Sequence, residues 1–367
     1  MKKLLLLSVL VQFTQLTAQP TQVNIAYGSH TSHRLDYTTA TNPNSPILIV
    51  VHGGGWSSGD KSNLTFTNVA QLFKNAGYAV VNINYRLSSQ SDYPGHPAIP
   101  QDVACAVAWT KTNATLINGD SSKILMYGNS AGAHLVMLHG LTHPNSLLSG
   151  CGYSAGLNVS GIIASNPAVN FEYINPGRYA DIKPMVGDSI NYWKAAAPAH
   201  NLALNSTTKF LMLIGQNDNF LGPQQSIIFN DSMTVYNYCK RFYLLPGHDH
   251  NSILANLSVS DPIFNSVLDF ADSLWLDQLC PTSVGIKETK TISNTIEIFP
   301  NPAKENILIK GIDINNSFDV YIYAIVGKLQ LHICDRSEID LENLKCGLYI
   351  MCVKQGDSYT YCKFIKE

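Results

Sequence analysis

Pro46-Ile-Leu-Ile-Val-Val51 is apolar at every position and runs directly into a glycine cluster. A strand that is apolar on both faces must lie inside a sheet covered on both sides, because either face turned to water would waste its burial. The pattern recurs along the chain. Tyr78 to Ile83 follows a helical stretch from about Asn63 to Asn75, and Lys123 to Tyr127 follows a helix predicted over Pro100 to Asn113. Val159 to Ala164, Lys209 to Ile214 and Phe242 to Leu245 continue the series. Such strands alternating with helices predict an α/β fold with a mostly parallel central sheet and helices on both faces. Two extended segments before the series, Gln22 to Tyr27 and Arg34 to Thr39, read as edge strands.

The pattern stops near Cys280-Pro281. Residues 281–294 are polar and aperiodic and read as a linker. From Thr295 the texture changes to short alternating runs separated by turn residues, among them Ile307-Leu-Ile309, Phe318 to Ile325 and Leu348 to Val353. A small β-sandwich over 295–367 is expected. At the other end, Met1-Lys2-Lys3 followed by the apolar run Leu4 to Val11 and a small residue at Ala18 reads as a signal peptide over 1–18. The main body then spans 19–280. Export would permit disulfides, but the eight cysteines contain no CxxC pair, so a zinc ribbon is not expected and connectivity stays open. Net charge is −2, with no basic excess to neutralise phosphates, so nucleic acid is excluded as a partner. No internal stretch is long and apolar enough to span a bilayer.

Gly128-Asn129-Ser130-Ala131-Gly132 follows the strand Lys123 to Tyr127 and opens a helix. A sharp strand-to-helix turn flanked by glycines projects a serine hydroxyl above the sheet edge. His52-Gly53-Gly54-Gly55-Trp56, after the strand Pro46 to Val51, offers backbone N–H groups that can come close to a developing oxyanion. A serine hydroxyl needs a base, and the base needs a carboxylate to orient it. In the order serine, acid, histidine, Asp218 falls just after the strand Lys209 to Ile214. Asp188 and Asp231 are rivals that do not closely follow a strong strand. After the last strand come two histidines, His248 and His250. His248-Asp249-His250 has the look of a ligand cluster, but a catalytic zinc needs three protein ligands and no HExxH-type partner motif is present. Neither a metal nor another cofactor is expected. His134 and His139, inside the helix after Ser130, read as ordinary packed or solvated histidines. Between the strands Val159 to Ala164 and Lys209 to Ile214, the segment 170–198 carries Phe171, Tyr173, Tyr179, Tyr192 and Trp193 and reads as an irregular lid. Those aromatics could either line an acyl or sugar pocket or pack the lid onto the body.

Three blocks together, His52-Gly-Gly-Gly-Trp-Ser-Ser-Gly-Asp60, Asn84-Tyr-Arg-Leu87 and Gly128 to Gly132, resemble the α/β-hydrolase serine esterases. The nearer groups are the hormone-sensitive-lipase-like carboxylesterases, the feruloyl and acetylxylan esterase-like enzymes and the kynurenine-formamidase-like enzymes. The resemblance, over roughly residues 22–279, implies a Ser130, Asp218, His250 triad. It also implies an oxyanion hole from the N–H groups of Gly54, Gly55 and Ala131, with Trp56 a further donor in related enzymes. It favours His250 over His248, since the family's histidine sits in segments like Asp249-His250-Asn-Ser-Ile. The expected reaction is hydrolysis of acetyl, feruloyl or other small-acyl esters, free or on polysaccharide. An amidase or peptidase with the same triad, and a binding protein that has kept the fold, are the alternatives. Phe299-Pro-Asn-Pro302, Gly347-Leu-Tyr349 and the terminal Lys363-Phe-Ile-Lys366 resemble the C-terminal sorting domain of type IX secretion. That implies passage across the outer membrane by the secretion machinery, and a secreted or cell-surface location.

Overall fold

A computed structural model describes residues 21–142, 151–172, 174–203, 207–255, 258, 260–275, 296–324, 329–356 and 358–367. The signal segment 1–18, the linker 281–294 and Tyr173 lie outside them. The main body is an eight-stranded sheet in the order β1-β2-β4-β3-β5-β6-β7-β8. Its strands are β1 (Thr21–Ala26), β2 (Arg34–Thr38), β3 (Ser45–Val51), β4 (Ala79–Ile83), β5 (Gly119–Asn129), β6 (Gly161–Ser165), β7 (Lys209–Gly215) and β8 (Lys240–Leu245). From β4 to β8 every neighbouring pair is parallel. The first two strands are antiparallel additions. The expectation of two edge strands is corrected at one of them: β2 is covered by β1 and pairs with β4, so of the two only β1 is an edge, β8 being the edge at the far end of the sheet. The reason is pairing on both sides, since β2 is antiparallel to β1 at one edge and to β4 at the other, while Leu35 and Tyr37 turn one face into the core.

The doubly apolar runs divide cleanly between two cores. Ile47, Ile49 and Val51 of β3 join one hydrophobic cluster, while Leu48 and Val50 join the cluster on the opposite face. That is the period of two expected when both faces are covered. Helices α1 (Leu64–Asn75), α2 (Ala98–Thr112), α3 (Ala131–Thr142), α4 (Tyr179–Val186), α5 (Ile190–Ala196), α6 (Pro223–Val235), α7 (Ser252–Ala255) and α8 (Pro262–Ser273) supply the covers and crossovers. Two of them carry clear start signals. Asn63 caps α1 by accepting from the Thr65 N–H, and Asp261 caps α8 by accepting from the Ile263 N–H, with Pro262 at the first turn. Helix α3 is buried from Ala131 to Leu141, so it is enclosed all round rather than lying on a surface. Cys105 of α2 is disulfide-bonded to Cys151, a pairing that spacing alone left open.

The segment 170–198 is more regular than expected. It holds α4 and α5, and Pro184 sits inside α4. Beyond the main body, β9 (Glu297–Phe299), β10 (Asn306–Lys310) and β13 (Glu338–Asp340) form a three-stranded sheet. Strands β11 (Phe318–Ala324), β12 (Leu329–Cys334), β14 (Gly347–Gln355) and β15 (Ser358–Lys366) form a four-stranded one. Ile307, Ile309, Val320, Ile322, Ile339 and Phe364 fill the core between them. Among the described residues, no helix is long and apolar enough to cross a membrane.

Candidate active site

Strand β5 lies in the middle of the sheet, between β3 and β6, and delivers Ser130 at its carboxyl end. Ser130 has φ +53°, a left-handed backbone that costs a non-glycine residue energy and persists where the surroundings over-determine it. The flanking glycines are forced. A Cβ on Gly128 would stand 2.4 Å from the Gly132 carbonyl, and a Cβ on Gly132 would stand 2.2 Å from the Val51 carbonyl oxygen. The Ser130 N–H donates to the Ser165 carbonyl at 2.9 Å, which ties the turn to the end of β6.

Asp218 follows β7 and is 2% exposed. One carboxylate oxygen accepts from the backbone N–H groups of Phe220 and Leu221, at 2.9 and 3.0 Å. The other accepts from His250 Nδ1 at 2.8 Å. His250, in the turn after β8, places Nε2 2.8 Å from Ser130 Oγ. The three side chains form one hydrogen-bonded chain, and their order fixes the histidine tautomer: Nδ1 carries the proton and Nε2 accepts from the hydroxyl. His248 is directed elsewhere, with Nδ1 3.4 Å from Ser252 Oγ. Of the rival acids, Asp188 pairs with Lys183 at the surface. Asp231 lies on α6, where burial raises its carboxyl. Phe220 stacks on His250, with ring centroids 4.6 Å apart.

The glycine loop after β3 has three consecutive left-handed residues, Gly54 at φ +115°, Gly55 at +58° and Trp56 at +59°. A Cβ on Gly54 would meet the Ser58 carbonyl oxygen at 2.1 Å, so a side chain is excluded there. A Cβ on Gly53 would stand 2.9 Å from the Asn129 carbonyl oxygen, which shows how closely the loop approaches the nucleophile turn. Ala131 opens α3, where the positive end of the helix dipole lies. The remaining motif residues brace this loop. Asn84 Nδ2 donates to Asp60 at 2.6 Å and Asn84 Oδ1 accepts from the Lys61 N–H at 2.6 Å. The Tyr85 hydroxyl donates to the His52 carbonyl at 2.9 Å. Arg86 and His33 both hold the buried Asp102, whose carboxyl stays below the usual range. Burial alone would raise it, and these hydrogen bonds outweigh that.

Sequence reading names Trp56 as a further donor and His134 as a packed or solvated histidine, but not the bond between them, and it misses Asn166. The Trp56 indole N–H donates to His134 Nδ1 at 3.1 Å, and His134 Nε2 donates to the Ala196 carbonyl at 2.7 Å. His134 is a fully buried histidine, and burial pulls its pKa down to about 4. Asn166, at φ +46° after β6, donates to the His250 carbonyl at 2.9 Å and accepts from the Gly215 N–H at 2.8 Å. It thereby joins the acid's strand to the histidine's turn. A lone Asn beyond a strand end was the one available signal.

A small cavity beside Ser130 is lined by Gly55, Trp56, Ala168, Ile174, Ile182 and Leu221, with Arg178 and Phe220 at the same pocket. Its volume is about 10 Å³, room for about one water-sized group. Of the predicted lid aromatics, Phe171 is buried against Trp56 and His134. Tyr179 and Tyr192 are exposed, and Trp193 packs edge-on to Tyr179.

The BD-FAE family profile matches residues 35–233, and a secretion system C-terminal sorting domain matches residues 297–367. Esterase LipC of Mycobacterium tuberculosis is 25% identical over 266 residues, 68% of this chain and 64% of its own length. A probable carboxylic ester hydrolase of the same organism, LipM, is 28% identical over 200 residues, 52% of this chain and 45% of its own. The chain thus spans about half to two thirds of these relatives. Among solved structures, a truncated carbohydrate esterase from gut microbiota has a TM-score of 0.63 at 22% identity, covering 70% of this chain and 97% of its own. Thermogutta terrifontis esterase 2, with propionate bound, has a TM-score of 0.57 at 18% identity, covering 73% and 98%. The fold is that of these esterases. The sorting domain indicates a secreted or cell-surface protein that engages the secretion machinery.

Proposed function

The chain belongs to the BD-FAE family, and on that premise we propose that it hydrolyses carboxylic esters through an acyl-enzyme on Ser130. The observation that carries the reading is the hydrogen-bonded chain from Ser130 Oγ through His250 to Asp218. His250 Nε2 takes the hydroxyl proton as Ser130 Oγ attacks the substrate carbonyl. Asp218 holds the imidazolium that forms. The oxyanion is held by the N–H groups of Gly54, Gly55 and Ala131. His250 returns the proton to the leaving alcohol as the C–O bond breaks. Water, deprotonated by the same nitrogen, then attacks the acyl-enzyme, and Ser130 leaves with its proton restored.

The narrow, mostly apolar cavity beside Ser130 suits a short acyl chain, so the proposed substrate class is acetyl or similarly short esters. A feruloyl group would need the pocket to open. The exposed Tyr179 and Tyr192 suit a sugar ring on the alcohol side, and a secreted location fits an acetylated polysaccharide. Export by a signal peptide over residues 1–18, and a boundary between catalytic and sorting parts within 281–294, complete the proposal.

The test is turnover of p-nitrophenyl acetate, butyrate and an anilide by the purified chain, with Ser130→Ala alongside. The expected result is ester turnover that falls about 10⁴-fold or more in the variant and declines from acetate to butyrate. Unchanged turnover in Ser130→Ala would overturn the serine assignment. Turnover of the anilide alone would make the chain an amidase.

A further inference from the structure

The four-stranded sheet of the sorting domain carries a cluster with no part in ester hydrolysis. Its β11 alternates: Val320 and Ile322 are buried in the core, so Asp319 and Tyr321 project from the other face. Strand β12 pairs antiparallel with it, Asp319 opposite Cys334 and Tyr321 opposite His332. The same alternation puts His332 and Cys334 on that outer face, on the edge strand of the sheet. His332 Nε2 lies 2.9 Å from Asp319 Oδ1, Cys334 Sγ lies 3.2 Å from the same oxygen, and Sγ and Nε2 are 3.8 Å apart. Three different donors, a thiol, an imidazole and a carboxylate, therefore meet at one point.

The shape of that meeting is specific. With Zn–S near 2.3 Å and Zn–N and Zn–O near 2.0 Å, a tetrahedral zinc ion separates its ligand atoms by about 3.3–3.5 Å. The observed triangle differs from this by a few tenths of an ångström on each side. The His332 ring is also held in place. It lies parallel to the Tyr321 ring, at 4.4 Å and 2°, so the Nε2 that faces Asp319 and Cys334 stays aimed at them without the metal. Cys334 is a free thiol and is exposed, so an ion could reach the site.

We propose that Asp319, His332 and Cys334 form a surface site for Zn²⁺ or a like divalent transition ion, with three protein ligands and the fourth corner open to solvent. The thiolate and imidazole select such an ion over Mg²⁺ or Ca²⁺, which prefer all-oxygen sites. On binding, Cys334 gives up its proton to solvent, the His332 proton moves from Nε2 to Nδ1 through solvent so that Nε2 can ligate, and Asp319 exchanges two hydrogen bonds for one metal bond. The ion would cross-link the edge strand β12 to β11.

The test is a Co²⁺ titration of the full chain, purified reduced and metal-free, and followed by absorbance. The expected result is a sulfur-to-cobalt charge-transfer band with intense tetrahedral d–d bands that saturate at one equivalent and are displaced by Zn²⁺. Cys334→Ser should abolish the charge-transfer band, and His332→Ala should abolish or greatly weaken both. The three positions are exposed or half-buried, so the variants should keep the wild-type circular dichroism spectrum. Ester turnover should be unchanged in both variants, which separates this site from the Ser130 assignment. Absence of the band in the wild-type chain would overturn the proposal. So would a band that survives in Cys334→Ser, because it would then arise at Cys346, Cys352 or Cys362.

Discussion

His134 accepts a hydrogen bond from the Trp56 indole and donates one to the carbonyl of Ala196, so one buried ring joins the helix behind Ser130 to the glycine loop and to the 170–198 segment. Both partners are inside the protein, and replacing the ring with an apolar one leaves a donor and an acceptor buried unpaired. Each such group costs about 1–3 kcal/mol. His134→Leu should therefore lower stability by about 2–6 kcal/mol in urea unfolding. Trp56→Phe should cost less, because it strands only the imidazole nitrogen. Equal losses in the two variants would show that the Ala196 bond contributes nothing.

The same ring makes stability depend on pH. Burial holds the folded pKa of His134 at about 4, below the ordinary histidine value, so the unfolded chain binds the proton more readily. Between about pH 6.5 and 4 the unfolded state takes up a proton that the folded state refuses, and stability falls as pH falls. Below about pH 4 both states are protonated and this contribution levels off. The full swing is on the order of 3 kcal/mol. Comparison of urea midpoints for wild type and His134→Asn across this window should show a shallower pH slope in the variant.

Asp218 receives two backbone N–H groups as well as His250. Asp218→Asn keeps the size of the side chain but supplies an amide that cannot stabilise the imidazolium and that favours the wrong histidine tautomer. A fall in kcat of about 10⁴-fold is expected, with the melting temperature little changed. A fall below tenfold would place the acid elsewhere.

Gly132→Ala should be severe for steric reasons alone. Its Cβ would lie 2.2 Å from the Val51 carbonyl oxygen and 2.6 Å from that of His52, and a strand end cannot retreat from a helix that is packed all round. A loss of about 3 kcal/mol or more, or failure to accumulate as soluble protein, is expected. Gly55→Ala meets nothing closer than 3.9 Å and should fold, paying only for its positive φ.

Much of this architecture could be read from the chain because the signals were local. Ile47 to Val51 is apolar on both faces, and the structure divides it between two cores. Ser130 announced itself by its glycines, whose missing Cβ atoms turn out to be required by Gly132 and Val51. Asp218 came from chain order, and the resemblance favoured His250 over His248; the hydrogen bonds of His250 to Ser130 and Asp218 are non-local and could not be read from the chain. What stayed hidden was non-local. Nothing near Arg34 to Thr38 says that β1 will cover it. The helices α4 and α5 lie in an aromatic-rich stretch whose proline masks the helical period. The contacts Trp56 to His134 and Asn166 to His250 join residues far apart in sequence, and the Cys105–Cys151 pairing likewise depends on the folded path.

The chain order of the three aligned side chains has a consequence for biogenesis. Ser130 and His250 are 120 positions apart, and Asp218 and His250 are 32 apart, with β6, β7 and β8 laid down in between. A nascent or truncated chain that ends before β8 would carry an oriented serine and a carboxylate but no base. On the mechanism proposed above, the hydroxyl would stay inert until the last strand of the sheet is in place, and catalytic competence would be a late checkpoint on completion of the fold.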